Sequence, residues 1–375
     1  MAQNPFRYGS PVSGDQFTGR VFELRTLVDR MENGINVVVT APRRYGKTSL
    51  LNQGAERILA AGGSVVRANL LRAPDFKTLA SRLTTEAYRL PGGTWQRAVR
   101  TVPEFLKRLR LHPVVTIDDA GHPVFTFSGD LRAADAGQLI EDVYAVLAEG
   151  AEQHPSVLML DEFQAIADLG TSLPGILKAL ADEHPMLSLV LAGSKHHLME
   201  ALVLSKGAPL YNMAERIALG PIDEEVMTEF LQARAKAGGK PMSSSAAARI
   251  YELAGPIPHD IQRLAYESFV MADRAIDDAV VSSALSRVVA NEDQSYADRF
   301  SKLAVGQRRV LVVLAAYDGV TKPQSSDFAR VTGYANPAGA AKALRALEED
   351  EVVLERRGKY EVADPFFRAW LRQNL

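Results

Sequence analysis

The hydrophobic positions in the first half of the chain follow two alternating spacings. Residues 35–40 form a short apolar, β-branched run, which is typical of a strand buried on both faces, and helical spacing follows at residues 49–61. The predicted strands cover residues 35–40, 65–70, 157–160 and 187–192, and the predicted helices cover residues 21–31, 49–61, 75–90, 136–152 and 173–183. Strands that alternate with helices predict an α/β fold with a parallel sheet.

Two stretches depart from this alternation. Residues 91–137 are less regular and contain a predicted hairpin, with strands at residues 114–117 and 124–127, so we interpret them as an insertion in the sheet domain. Beyond residue 221 the strand patterns stop. Residues 222–290 alternate helical patterns with glycine turns, which predicts a small helical domain.

The last part of the chain has another order of elements. Residues 294–300 are polar and indicate a linker. Three helical patterns and two short strand patterns follow, which is the order of a winged helix-turn-helix. These helices are predicted at residues 305–317, 325–332 and 337–350, and the strands within residues 352–362. The predicted domains are therefore a sheet domain (residues 1–220), a helical domain (221–298) and a winged helix (299–375).

Composition narrows the class of protein. Of the 375 residues, 47% are hydrophobic and 23% are charged, which excludes collagen-like, rod-like and disordered classes. The chain has no cysteine, so thiolate nucleophiles, disulfides and cysteine metal sites are excluded. No apolar run reaches the roughly 18 residues of a membrane span, and the start lacks a signal-peptide pattern. We therefore expect a cytoplasmic protein without a membrane partner.

Charge gives a weaker indication of a partner. The net charge of −2 argues against a chain that coats nucleic acid. Residues 301–375 hold 12 Lys and Arg against 9 Asp and Glu, and this net +3 has the sign that a DNA-binding module needs. The basic residues that could contact DNA phosphates are Lys342 and Arg345 on a predicted helix, and Arg356, Arg357 and Lys359 on the predicted wing. A winged helix that binds a protein agrees with the same residues equally well.

Residues 41–48 have the pattern of a phosphate-binding loop. They match GxxxxGK(S/T) except at the first position, and they lie between a predicted strand and a predicted helix. Such a turn directs successive backbone N–H groups and the positive end of a helix dipole at a polyphosphate. Gly46 permits close approach, Lys47 can contact the β- and γ-phosphates, and Thr48 can offer its hydroxyl to Mg²⁺. Ala41 replaces the first glycine, so either its φ is negative or the loop is strained.

Acidic residues follow another predicted strand. Residues 157–160 are apolar and end in Asp161 and Glu162, which we expect at the carboxyl edge of the sheet, where α/β proteins bind ligands. Asp161 is suited to hold Mg²⁺, and Glu162 to activate the attacking water. Ser194 follows the strand at residues 187–192 and could contact the γ-phosphate or that water.

These motifs resemble those of the archaeal-type ATPase family, a branch of the STAND group of P-loop ATPases that is related to AAA+ and origin-recognition ATPases. Residues 41–51 are similar to the family's GPRRxGKTSLL, residues 161–164 to its DExQ segment, and residues 360–371 to its closing YxxxDPFxRFW signature. The absence of NKxD and LSGGQ motifs agrees with this assignment.

The resemblance implies that ATP is held between the sheet domain and the helical domain, which acts as a lid. Phe17, Gly19 and Arg20 match the segment that frames the adenine, and Pro258 matches the proline of a lid turn. The nucleotide-binding residues that it implies are Ala41, Pro42, Arg43, Arg44, Tyr45, Gly46, Lys47, Thr48, Ser49, Phe17, Gly19, Arg20 and Pro258. Asn212 and Met213 stand where the family often has Gly-Arg, so an arginine sensor is either Arg216 or absent from this chain.

Three functions follow as hypotheses. The first is an ATP-hydrolysing, Mg²⁺-dependent switch in which Glu162, Lys47 and Ser194 act in catalysis and the nucleotide state, ATP or ADP, moves the winged helix. The second is a DNA-binding regulator with a structural nucleotide and little turnover. The third is a scaffold ATPase whose winged helix binds a polypeptide. A homo-oligomer is compatible with all three.

Overall fold

The computed structural model describes residues 3–90, 112–117, 123–128, 133–169, 173–194, 196–356 and 358–374. The chain divides into two compact units. The sheet unit comprises Pro11–Pro221, and the helical unit comprises Met1–Ser10 and Ile222–Leu375. Whether residues 221–298 and 299–375 are separate domains stays a prediction.

The sheet unit is built on a parallel sheet, so the predicted α/β fold class is confirmed. Its strands in chain order are β1 (Val37–Thr40), β2 (Ser64–Asn69), β3 (His112–Ile117), β4 (Pro123–Ser128), β5 (Ser156–Asp161), β6 (Leu187–Gly193) and β7 (Glu215–Ala218). Five of these strands pair in parallel in the order β2-β5-β6-β1-β7, and β3 and β4 form an antiparallel hairpin. Every residue of β1, β5 and β6 is buried, as their continuous apolar runs require.

Strand β7 is absent from the sequence-based prediction, for a physical reason. It lies at the edge of the sheet beside β1, and Ile217 is the one buried residue among its four. An edge strand with a single buried side chain has neither the continuous apolar run of a central strand nor a long alternation.

Helices fill the connections of the sheet unit. They are α1 (Val21–Glu32), α2 (Lys47–Ala60), α3 (Phe76–Tyr88), α4 (Ala133–Ala151), α5 (Ile166–Leu169), α6 (Leu173–Glu183) and α7 (His196–Met199). Their apolar stripes pack on the sheet: Leu79 and Leu83 of α3 and Tyr144 of α4 belong to the same core as Leu158 of β5 and Leu189 of β6. These layers hold the carboxyl ends of β1, β5 and β6 at one edge of the sheet.

The helical unit contains the remaining elements. They are α8 (Glu224–Ala237), α9 (Ser244–Ala254), α10 (Pro258–Met271), α11 (Asp278–Asn291), α12 (Asp293–Ser301), α13 (Val305–Ala316), α14 (Ser326–Val331), α15 (Pro337–Glu349), β8 (Val353–Arg356), β9 (Lys359–Val362) and α16 (Pro365–Asn374). Elements α13 to β9 follow the predicted winged-helix order. One hydrophobic core runs from Leu231 in α8 to Leu344 in α15 and Leu371 in α16.

The predicted linker at residues 294–300 is wrong, because this segment is helix α12. Most of its side chains are polar, but Tyr296 is buried, with 5% of it exposed. The Tyr296 ring lies 5.1 Å from that of Phe367, and Trp370 Nε1 donates a hydrogen bond of 2.7 Å to Asp293 Oδ1. Contacts with the closing helix α16 therefore stabilise a segment whose own pattern is weak.

The closing segment begins α16 with a strong cap. Asp364 Oδ1 accepts hydrogen bonds from the backbone N–H groups of Phe366 and Phe367, at 2.9 and 3.1 Å, and Pro365 is the first helical residue. Phe366 and Phe367 are fully buried in the shared core.

Within the described residues, no helix is long and apolar enough to cross a membrane.

Candidate active site

The loop between β1 and α2 has the geometry that its sequence requires. Two of its residues have positive φ, Arg44 at 70° and Gly46 at 86°, and Ala41 is not one of them. The Ala41 N–H instead donates to Gly193 O at 3.3 Å, next to the strand register that pairs Thr40 with Gly193. Alanine therefore fits the first loop position without backbone strain, whereas the left-handed conformation at Gly46 calls for glycine.

The end of this loop is the N-terminus of α2. Gly46 is its N-cap residue, and no side-chain hydrogen bond caps the helix there. A Cβ atom built on Gly46 has no other atom within 4 Å, so space is open above this turn. Uncapped N–H groups, the helix dipole and open space are together suited to a phosphate.

Lys47 lies against both predicted carboxylates. Its Nζ donates to Asp161 Oδ1, and it lies 3.0 Å from Glu162 Oε1. Thr48 Oγ1 donates to Asp161 Oδ2 at 3.1 Å. The Lys47 side chain is 6% exposed, the Asp161 side chain 11% and the Glu162 side chain 17%. The folded chain thus brings together side chains that lie more than 100 positions apart in sequence.

Glu162 follows β5 in a left-handed backbone conformation, with φ of 54°. One of its oxygens faces Lys47, and the other, Oε2, accepts hydrogen bonds from Gln164 Nε2 at 2.5 Å and Ser194 Oγ at 3.0 Å. Burial raises the pKa of Glu162, but the Lys47 charge and the hydrogen bonds from Gln164, Lys47 and Ser194 together outweigh it and lower the pKa. The carboxylate is therefore ionised at neutral pH.

Ser194 and Gln164 complete the cluster. Ser194 follows β6, and its N–H donates to Gln164 Oε1 at 3.3 Å, while Gln164 Nε2 lies 3.4 Å from Ser194 Oγ. The sequence analysis includes Gln164 only as part of the DExQ segment and does not place it among the site residues. The contact joins residues 30 positions apart, and no local pattern reveals it.

The oxygen atoms around Thr48 suit Mg²⁺. Its hydroxyl and the Asp161 carboxylate adjoin each other, and hard cations prefer such oxygen ligands. In the part of the chain that the structure describes, no group of three or more His, Asp or Glu side chains could hold a metal by itself. A magnesium ion here would need further ligands from water and phosphate.

Arg20, before α1, and Ser49, near the start of α2, make hydrogen bonds around the loop. Arg20 is 3% exposed, and its Nη2 donates to Gly220 O at 2.6 Å and to Tyr45 O at 3.3 Å, while Nη1 pairs with Glu23 at 2.9 Å. Ser49 Oγ accepts from Val12 N–H at 3.0 Å. Arg20 therefore braces the loop, and Ser49 ties the start of α2 to the N-terminal segment at Val12. Neither role was predicted.

The other predicted nucleotide residues differ in burial. Tyr45 is 3% exposed, whereas the segment before it is exposed, namely Pro42, Arg43 and Arg44. Phe17 and Gly19 are half-buried just before α1. Pro258 lies in the helical unit, where it is the first residue of α10.

Arg216, the candidate arginine sensor, lies on edge strand β7. Its side chain is exposed, and its Nε donates to Thr40 Oγ1 at 3.4 Å. Thr40 is the last residue of β1, directly before the loop. The sequence therefore places an arginine beside the loop within the same unit, through a strand that the hydrophobic pattern did not reveal.

The basic residues of the winged helix have unequal surroundings. Lys342 and Arg345 are exposed on α15. Arg356 instead pairs with Glu361 across the β8–β9 hairpin at 2.7 Å. Lys359 is half-buried, and Arg357 lies outside the described residues. The exposed charge is thus on the helix rather than at Arg356.

Two solved structures are similar in fold to this chain over nearly its whole length. A Walker-type ATPase of Pyrococcus abyssi has a TM-score of 0.64 and 18% identity, over 98% of this chain and 99% of that one. The ORC2 protein of Aeropyrum pernix, in its ADPNP–ADP complexes, has a TM-score of 0.56 and 16% identity, over 99% and 97%. The fold is that of the P-loop ATPases.

Three further comparisons concern DNA, the C-terminal region and the curated proteins. Aeropyrum pernix ORC1, solved in complex with DNA, has a TM-score of 0.50 and 14% identity over 96% of this chain and 94% of that one. A family model described as "Probable winged helix domain" matches residues 294–373. Among curated proteins, none is significantly similar to this chain. The resemblance to Walker-type and origin-recognition ATPases is thus confirmed for the fold, and the winged helix for the C-terminal region.

Proposed function

We propose that this protein binds ATP with Mg²⁺ and hydrolyses it. The observation that carries the proposal is the cluster at one edge of the sheet, in which Lys47, Thr48, Asp161, Glu162 and Ser194 meet directly. Its support is chemical: a cation for phosphate, oxygen ligands for a metal, and an ionised carboxylate beside them.

Lys47 is the group that changes partner when ATP binds. In the structure its ammonium is held by two carboxylates. The β- and γ-phosphate oxygens offer it a stronger concentration of negative charge, together with the N–H groups at the start of α2. Transfer of the ammonium to the phosphates would leave the Oε1 atom of Glu162 without its cationic partner and available to a water molecule.

Thr48 and Asp161 would hold the magnesium ion, directly or through water. The bound ion supplies positive charge that offsets the negative charge of the phosphates. These two side chains already adjoin each other, so little rearrangement of the protein is needed to accept the ion.

Glu162 is the proposed general base. Its lowered pKa keeps it ionised, so it can accept a proton from water whose oxygen attacks the γ-phosphorus, while the bond from that phosphorus to the bridging oxygen of ADP breaks. The products are ADP and inorganic phosphate. Ser194, 3.0 Å from Glu162, can orient the same water or a γ-phosphate oxygen.

The consequence of turnover is proposed to be a conformational switch of the STAND type. Phe17 and Gly19 before α1, and Pro258 at the start of α10, are proposed to contact the nucleotide. Because the lid helices share one hydrophobic core with the winged helix, a movement of the lid would carry the winged helix with it. The winged helix would then present its surface to duplex DNA or to a protein partner.

The second candidate is a DNA-binding regulator with little turnover. The exposed Lys342 and Arg345 favour it, since they can contact phosphates. The ORC1 structure of similar fold is itself a DNA complex.

Phosphate release with and without duplex DNA separates the two candidates. We expect wild-type turnover, and a loss of about 10²- to 10⁴-fold in Glu162→Gln, because the amide cannot accept the proton. Glu183→Gln, an exposed change at the end of α6, is the matched control and should match wild type. Wild-type turnover no faster than that of Glu162→Gln, together with tight, salt-dependent DNA binding, would favour the regulator instead.

A further inference from the structure

The side-chain amide of Gln164 uses both its nitrogen and its oxygen in hydrogen bonds with two residues of the candidate site. Nε2 donates to Glu162 Oε2 at 2.5 Å and lies 3.4 Å from Ser194 Oγ, and Oε1 accepts from the Ser194 N–H at 3.3 Å. The residue is 5% exposed. A buried amide with donor and acceptor both used has one preferred orientation, because turning it over would place like groups together.

The surrounding chain is shaped to admit this amide. Gly193 precedes Ser194, and a Cβ atom there would lie 2.7 Å from Gln164 Oε1 and 2.3 Å from Met199 Sδ. Gln164 itself stands in the short 3-10 helix Phe163–Ala165 that directly follows Glu162. The absence of a side chain at Gly193 thus leaves room for the link between the ends of β5 and β6.

The two oxygens of Glu162 consequently have different surroundings. Oε2 is held by hydrogen bonds from Gln164 and Ser194. Oε1 instead faces the ammonium of Lys47, which ATP would draw away. We propose that Gln164 is a positioning residue: it fixes the Glu162 carboxylate through Oε2, so that Oε1 is the oxygen that receives the proton. This inference rests on the proposed ATPase function and names a further residue of that site.

The predicted effect separates kcat from nucleotide binding. Among the described residues, no hydrogen bond joins Gln164 to Lys47 or Thr48, so ATP affinity should remain within about twofold of wild type. The value of kcat should fall by about ten- to a hundredfold, a part of the ~10²- to 10⁴-fold that general-base catalysis supplies.

The experiment measures ATP affinity and kcat for wild type, Gln164→Met and Gln164→Glu. Methionine keeps the volume without the amide, and glutamate keeps the shape but cannot donate when ionised. The matched control is Gln138→Met, since Gln138 is exposed on α4. Both Gln164 variants should lose kcat with ATP affinity retained, and Gln138→Met should match wild type in both.

Either of two results would overturn the inference: an unchanged kcat in Gln164→Met, or a loss of ATP affinity as large as the loss of kcat. Both are distinct from failure of the proposed function. That failure would appear in wild type itself, as no ATP hydrolysis, or as the same hydrolysis rate in Glu162→Gln.

Discussion

Two partly buried carboxyl groups in the sheet unit have opposite properties. Burial raises the pKa of Asp142, on helix α4, to about 6, and Glu141 adds to this increase while Gln138 opposes it. The pKa of Glu162 is lowered despite burial, because Lys47, Gln164 and Ser194 stabilise its charge. Burial therefore does not by itself mark a catalytic group. The partners of the group decide whether it carries a charge that chemistry can use.

The two carboxyl groups also differ in the number of hydrogen-bond donors that they have. Asp142 Oδ2 is buried and lacks a hydrogen-bond partner among the described residues, and its Oδ1 has one weak donor, Gln138 at 3.5 Å. Glu162 has three donors from three parts of the chain. A carboxylate served by converging side chains at the edge of the sheet is organised to stay charged, whereas Asp142 is merely enclosed by the packing of a helix.

The largest effect is expected from Asp161→Asn, which neutralises the neighbour of Glu162 in the charged cluster. The change removes the negative charge beside Lys47 and replaces one of the two carboxylate oxygens with an NH₂ group. We therefore expect kcat/KM for ATP to fall by about 10²-fold or more and the Mg²⁺ requirement to rise. Phosphate release over a range of Mg²⁺ concentrations measures both. Asp182→Asn, an exposed change on α6, is the control and should be silent. An Mg²⁺ dependence identical to wild type would contradict the role given to Asp161.

A smaller effect, on the free energy of unfolding, is expected from Asp142→Asn. The native state holds a proton up to about pH 6 that the unfolded chain releases near its ordinary pKa of 3.8. Native stability from this group is therefore complete below pH 3.8 and is lost as pH rises through 6. Asparagine has no such loss.

The size of that effect is limited, because Asp142 is only half-buried. Relative to wild type, we expect the variant's free energy of unfolding to increase by about 1 kcal/mol between pH 4 and pH 7. Urea unfolding at the two pH values measures it, and Asp182→Asn again serves as control. A difference that does not change with pH would show that Asp142 is ionised in the native state and that burial does not dominate its surroundings.

Those parts of the fold and site that follow from continuous hydrophobic runs could be predicted from the sequence. The runs of β1, β5 and β6 are buried, and each ends in polar residues, so Lys47, Asp161 and Ser194 were identifiable by position. Parallel pairing then brings the ends of neighbouring strands together.

What the sequence could not reveal depends on contacts between distant segments. Arg20 donates to the carbonyl of Gly220, 200 positions away, and α12 is held by aromatic rings of the closing helix. Strand β7 has one buried residue, so its pairing with β1 determines it more than its own pattern does. In the sequence Gln164 is an ordinary polar residue after a strand, and only its contact with Ser194 in the fold identifies it as part of the site.

The central claim is that the turn before Thr48, with the Lys47 ammonium, binds the phosphates of ATP. Titration of ATP with Mg²⁺ into wild type and Lys47→Ala, followed by calorimetry, tests it most directly, with Lys178→Ala on the exposed surface of α6 as control. We predict saturable binding to wild type and to Lys178→Ala, and an affinity at least about a hundredfold weaker for Lys47→Ala. Equal ATP affinity in all three proteins would contradict the account.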